Sequence, residues 1–165
     1  MERLWAPWRL AYVTSASAED PGGCIFCTAL EAEPASALVL HRGPECFIIL
    51  NKFPYNNGHL MVVPVRHVGT LAEMQEGELG ELFALTRTAE MALAKAYAPH
   101  GMNVGINVGR AAGAGILGHL HVHLVPRWDG DTNFMTVAAE TRVVPEELDV
   151  TAARLKPIFA QLLRS

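Results

Sequence analysis

Three histidines occupy alternate positions in the run His119-Leu120-His121-Val122-His123-Leu124-Val125, which ends at Pro126. Strand side chains alternate between two faces, so this spacing predicts three imidazoles on one side, about 7 Å apart, with Leu120, Val122 and Leu124 on the other. Every buried ring nitrogen needs a hydrogen-bond partner, which makes such a row a poor core filling. Two chemistries remain open: metal ligation by His121 and a neighbour, and nucleophilic or acid–base work on a substrate.

Cys24 and Cys27 form a Cys-x-x-Cys pair, a spacing at which two thiolates share one tetrahedral ion. A redox pair and two inert thiols are the rival readings, and no βαβ pattern surrounds the pair to favour redox chemistry. A third cluster is the glycine-rich stretch from Gly109 to Gly118, which also holds Arg110. Its Gly113-x-Gly115-x-x-Gly118 formally matches a dinucleotide-binding fingerprint. That fingerprint requires a following helix, whereas the histidine strand follows at once, so the loop reads instead as a cradle of backbone amides for phosphate.

These groups need a scaffold. Residues 38–40 and 46–50 are apolar runs separated by Arg42-Gly43-Pro44-Glu45 and predict a hairpin. The turn cluster Pro54-Tyr55-Asn56-Asn57-Gly58 leads into the apolar run 60–64, which extends the hairpin to an antiparallel meander and leaves His59 at the mouth of its third strand. Thr70-Leu71-Ala72-Glu73 has capping-box spacing. From about Glu78 to Tyr97, Leu79, Leu82, Phe83, Thr86, Ala89, Glu90 and Leu93 follow a helical period that Pro99 ends. Val104, Ile106 and Val108 alternate with Asn103, Gly105 and Asn107 in a fourth strand over 102–108. Residues 135–138 read as a further strand, and 145–148 and 151–163 as helical turns interrupted or bent at Pro157.

At 165 residues, 50% hydrophobic and 18% charged, the chain suits one domain over 1–165, with an N-terminal extension over 1–20 that carries Trp5, Trp8 and Tyr12. No apolar run approaches the roughly 20 residues of a membrane span, and the opening residues lack a signal-peptide core, so a cytoplasmic protein without membrane contact is expected. A net charge of −4 argues against a general nucleic-acid surface. With Cys46 the cysteine count is odd, which fits a reducing compartment and a metal half-site better than a disulfide framework.

The His-φ-His-φ-His-φ-φ run resembles the histidine triad (HIT) family. The stretch from Asn51 through His59 to Pro64, residues 103–109, Pro126-Arg127-Trp128 and Gly130-Asp131-Thr132-Asn133-Phe134 are similar to the same family. The opening Leu4-Trp5-Ala6-Pro7-Trp8-Arg9 resembles the branch of dinucleoside polyphosphate hydrolases and bacterial diadenosine tetraphosphate phosphorylases. This resemblance implies an α+β fold: a five-stranded antiparallel sheet, one long helix and a short C-terminal helix, paired as a homodimer. It implies cleavage of dinucleoside polyphosphates, by phosphorolysis or hydrolysis, through a nucleotidyl group carried on His121. His123 then holds phosphate oxygens or serves the leaving group, and His59 closes the site and buttresses the nucleophile. Asn51 lies near the ribose, Asn107 contacts phosphate, and amides around Gly115 and Gly118 receive developing charge. The resemblance also implies structural zinc on Cys24, Cys27, His67 and His119, a closed four-ligand set with no open position for catalysis. His41 and His100 match no functional position and read as surface or loop residues. Many family hydrolases carry Gln where this chain has Gly115, a departure that leaves room for phosphate as the acceptor. Adenosine phosphoramidate hydrolysis, a non-catalytic zinc-stabilised nucleotide-binding module and a metalloenzyme are the competing readings.

Overall fold

The computed structural model describes residues 23–32, 38–131 and 146–164. Its elements are α1 (Ile25–Glu31), β1 (Val39–Arg42), β2 (Cys46–Leu50), β3 (Leu60–Pro64), α2 (Glu76–Tyr97), β4 (Gly101–Ile106), β5 (Val122–Arg127) and α3 (Leu148–Leu162), with short 3-10 turns at Leu71–Glu73 and Arg110–Ala112. The five strands form one antiparallel sheet in the order β1-β2-β3-β5-β4. Such a sheet next to one long and one short C-terminal helix is the expected α+β architecture.

Burial explains why these runs became strands. Every residue of β2 and β3 is buried, and both are continuous apolar runs, as strands covered on both faces must be. On one face Ile48, Leu60, Val62, Val122 and Leu124 pack under Leu82, Ala89 and Leu93 of α2 and Leu155 and Phe159 of α3. On the other, Phe26 of α1 joins Phe47, Ile49, Met61 and Val63. The Asn57-Gly58 turn takes the expected form: Gly58 has φ +74°, and a β-carbon there would stand 2.9 Å from the Tyr97 ring.

Several boundaries differ from the sequence reading for identifiable reasons. The Thr70–Glu73 box closes its own 3-10 turn, with the Thr70 amide donating to Glu73 Oε2 at 2.8 Å. The long helix starts ahead of its apolar period, at Glu76, where Glu78 Oε2 accepts the Gln75 amide at 2.7 Å. The same carboxylate takes both Nε and Nη2 of Arg66 at 2.7 Å, and these bonds, that of Arg66 first, pull Glu78 down to about 2. Within α2 the buried stripe runs through Leu85 and Ala92, while Phe83 and Glu90 face outward. The fourth strand ends at Ile106, so Asn107 and Val108 lie beyond it. Pro157 does not interrupt α3, because Pro157 and Ala153 are both exposed and the carbonyl left without its helical donor faces water. His41 sits half-buried within edge strand β1 instead of on a surface loop, and exposed His100 accepts the Asp129 amide. The expected strand at 135–138 and the extension over 1–20 lie outside the described residues. Among the described residues no helix is long and apolar enough to cross a membrane.

Candidate active site and metal centre

The histidine row is only partly strand. β5 begins at Val122, and the ladder between β3 and β5 joins Leu60 to Leu124, Met61 to His123 and Val62 to Val122. His119 and His121 precede it, on a segment fastened by the Leu120 amide donating to the Val68 carbonyl. The alternation nevertheless holds, with Leu120, Val122 and Leu124 in the core beneath α2.

Each ring's partners determine where its proton sits. A carbonyl can only accept, so His119 donates from Nε2 to the Pro64 carbonyl at 2.8 Å, and its Nδ1 presents a lone pair. His121 has the opposite arrangement. Its Nδ1 donates to the His119 carbonyl at 2.8 Å, which makes Nε2 the unprotonated nitrogen. His59 Nδ1 accepts the Tyr55 amide at 3.1 Å, so the ring proton is on Nε2 and is donated to His123 Nδ1 at 3.0 Å. His123 consequently carries its own proton on Nε2.

The lone pair of His119 Nδ1 faces Cys24 Sγ at 3.2 Å and Cys27 Sγ at 3.7 Å, while His67 Nδ1 lies 3.4 Å from Cys27 Sγ. All four donor atoms fall within 4.8 Å of one another. Tetrahedral edges between sulfur and nitrogen around zinc are about 3.6 Å for ordinary bond lengths, so this set fits such an ion. The cysteines converge because Cys24 is the N-cap of α1 and Cys27 lies in its first turn, with the Thr28 amide closing on the Cys24 carbonyl at 3.0 Å. Burial, then the neighbouring Cys24 side chain, push the Cys27 thiol up, an effect that a bound divalent cation reverses. Gly118 belongs to this corner too: a β-carbon there would stand 3.0 Å from His67 Nε2.

Phe26 separates the two corners, its ring centroid 5.3 Å from that of His119 and 5.2 Å from that of His121. Beyond it the rings of His121 and His123 meet at 4.7 Å, and Tyr55 covers His59 at 4.7 Å. His121 is 3% exposed and burial lowers its proton affinity; burial first and then His121 hold His123 down to about 4. Both imidazoles are thereby kept neutral near pH 7. Opposite His123 across the ladder is Gly105, with open space where a side chain would be.

The sequence-derived residues distribute as follows. His59 meets His123, its Nε2 standing 3.0 Å from His123 Nδ1. The reason is pairing: Met61 lies opposite His123, and the chain before Leu60 turns back over that ring. Half-buried Asn51 accepts the Phe53 amide through Oδ1, and its Nδ2 lies over the His59 ring, 3.3 and 3.5 Å from the two nitrogens. Asn107, just before the glycine loop, and Gly115, within it, are half-buried, and the loop turns through positive φ at Gly109 and Gly113. Phe26, Tyr55 and the Pro64 carbonyl were not read from the sequence. Phe26 had a signal, since an aromatic between two ligand cysteines sits beside whatever they hold. Cys46 lies apart, buried, with its thiol pushed up to about 12 chiefly by burial.

Comparison with known proteins adds the context. Residues 33–130 match the family model described as HIT domain. An AP-4-A phosphorylase of Mycobacterium tuberculosis is 39% identical over 167 residues, covering 98% of this chain and 86% of the relative. A bis(5'-nucleosyl)-tetraphosphatase (asymmetrical) of Schizosaccharomyces pombe is 29% identical, covering 76% and 65%. Among solved structures, a zinc-bound histidine triad family protein of Mycobacterium smegmatis superposes with a TM-score of 0.68 at 26% identity, covering 86% of this chain and 96% of its own.

Proposed function

The chain belongs to the HIT domain family, and on that premise we propose that it is an enzyme cleaving dinucleoside polyphosphates such as diadenosine tetraphosphate. One observation carries the reading: the His121 Nδ1 bond to the His119 carbonyl, which leaves a neutral Nε2 lone pair beside His123. In the first step that lone pair attacks the α-phosphorus. The N–P bond forms, and the P–O bond to the remaining phosphates breaks with its electron pair on the departing oxygen. His123 Nε2–H donates a hydrogen bond to that oxygen, and amides of the loop around Gly115 and Gly118 take up charge gathering on the phosphoryl oxygens. Positive charge left on the His121 ring is offset by the His119 carbonyl at Nδ1. In the second step an oxygen of phosphate or water attacks phosphorus, water giving up a proton to solvent, and the N–P electrons return to Nε2. Asn51 serves the nucleoside side and Asn107 the phosphates.

Cys24, Cys27, His67 and His119 hold structural zinc in this reading. When bound, the ion neutralises the two thiolates and ties α1 to the segments around His67 and His119. Two further elements complete it. The protein works in the cytoplasm, where thiols stay reduced. It pairs as a homodimer through the outer edge of β4, where Val104 is 50% exposed and backbone groups face away from β5.

The test is incubation with diadenosine tetraphosphate, with and without inorganic phosphate, followed by separation of products. ADP plus ATP formed only with phosphate identifies phosphorolysis, the outcome expected from a glycine at position 115. AMP plus ATP without phosphate identifies asymmetric hydrolysis. Absence of product in both tubes overturns the reading in favour of phosphoramidate substrates or binding without turnover.

A further inference from the structure

The ladder between β3 and β5 stops at Leu60 and Leu124, so the 55–59 turn overhangs the later half of β5 with no strand pairing to hold it there. Besides the Asn51 amide, which donates to the His59 carbonyl at 3.0 Å, side chains hold it. Asn56 Nδ2 donates to the Pro126 carbonyl at 3.0 Å and to Asp131 Oδ2 at 2.8 Å. Asp131 is itself fixed: Oδ2 also accepts from Arg127 Nε and from the Trp128 amide at 3.1 Å, and Oδ1 accepts from Arg127 Nη2 at 2.7 Å. Arg127 Nη1 in turn donates to Asn103 Oδ1 on β4 at 2.8 Å. An ionised carboxylate and a carbonyl can only accept, so they oblige Asn56 to present its NH2 group and fix the orientation of the amide.

From Asn56 the connections run to the active site. Its carbonyl accepts the His59 amide at 3.2 Å, and the preceding residue, Tyr55, donates its own amide to His59 Nδ1. That second bond determines that His59 carries its proton on Nε2, and therefore that His123 Nδ1 accepts and His123 Nε2 donates. Arg127 and His123 share one face of β5, four residues apart, so the turn is clamped across the strand that carries the histidine.

We propose that Asn56 and Asp131 are positioning residues: by clamping the 55–59 turn onto β5 they fix the His59 tautomer and thereby keep the His123 Nε2 proton toward the phosphate. The role assigned to His123 rests on the function proposed above; the tautomer itself does not. Long-range proton–nitrogen NMR on the full-length protein with 15N-labelled histidine reads both rings directly, with or without turnover. In Asn56→Ala, His59 is expected to pass from a single Nε2–H form to a mixture of tautomers. For diadenosine tetraphosphate, kcat falls on the order of 10- to 100-fold, a partial loss of the roughly 100- to 10,000-fold a general acid supplies, and KM stays within about twofold. Asp131→Asn gives the same changes more weakly, and the double variant is no worse than Asn56→Ala alone, because both cut one chain of contacts. An unchanged His59 spectrum in Asn56→Ala overturns the proposal even if kcat falls, and so does additivity in the double variant. If Asn56→Ala does not fold, Asn56→Ser, which keeps a hydroxyl donor, is judged by the same spectra. A wild-type protein without turnover removes the proposed function but leaves the spectral test standing.

Discussion

The two corners flanking Phe26 use the same residue type for opposite ends. At the cysteine corner His119 gives its Nε2 proton to the Pro64 carbonyl and turns a Nδ1 lone pair toward sulfur. Two residues on, His121 gives its Nδ1 proton to the His119 carbonyl and leaves Nε2 bare. Neither ring chooses its tautomer. A backbone carbonyl does so in each case, and the second of these belongs to the first histidine. One corner can thus be closed by four ligands while its neighbour keeps a nucleophile available, although the two ring systems meet a common phenyl group.

The sharpest way to break this comparison is His121→Ala. Turnover is expected to fall by at least about 1,000-fold, as when a covalent nucleophile is lost, while nucleotide affinity measured by calorimetry changes little. His121 is not the nucleophile if that variant turns over at the wild-type rate. Next comes removal of metal by a chelator, or Cys27→Ser. Either should lower the melting temperature by more than about 10 °C, since each kcal/mol moves a domain of this size by about 2–4 °C, with activity lost alongside. Loss of activity at an unchanged melting temperature would instead place the metal in the chemistry.

The smallest effect is a pH dependence that separates site from scaffold. His123 is held at about 4 against an ordinary value of 6.5 by burial first and by His121 second. Between those values the unfolded chain binds a proton that the folded one does not, so stability falls as pH drops through this window. His123→Asn lessens that slope in denaturant titrations. Glu78, held at about 2 by Arg66 and the Gln75 amide, acts lower: its stabilisation is full above about 4.5 and is lost as pH falls toward 2. Glu78→Gln lessens that second slope, which Asp131 and Glu73 share, and leaves the first.

Much of this was legible in the chain because it follows from local periodicity. The alternation at 119–124 predicted which side chains enter the core, the turn residues at 54–58 placed His59 beside its strand, and Cys-x-x-Cys marked the first two members of the cluster with His67 and His119. What was not legible depends on residues remote in sequence. The proton on His119 is fixed by a carbonyl 55 residues away, and His59 reaches His123 across 64. No local pattern records such meetings. Glu81 makes the same point on the scaffold: from α2 it accepts the Glu45 and Cys46 amides 36 and 35 residues earlier and holds the β1–β2 turn, with nothing in its own segment to announce it.

The spread of Cys24, Cys27, His67 and His119 along the chain has a consequence for the order of events on the ribosome. Cys24 and His119 are 95 residues apart, so the first thiols leave the exit tunnel long before their last partner has been synthesised. Loops of that span close late, after the nearby hairpins have formed. A nascent chain therefore cannot complete the cluster until the polypeptide has reached the position two residues before His121. The cluster acts as a terminal latch, and synthesis halted before that position leaves neither corner assembled.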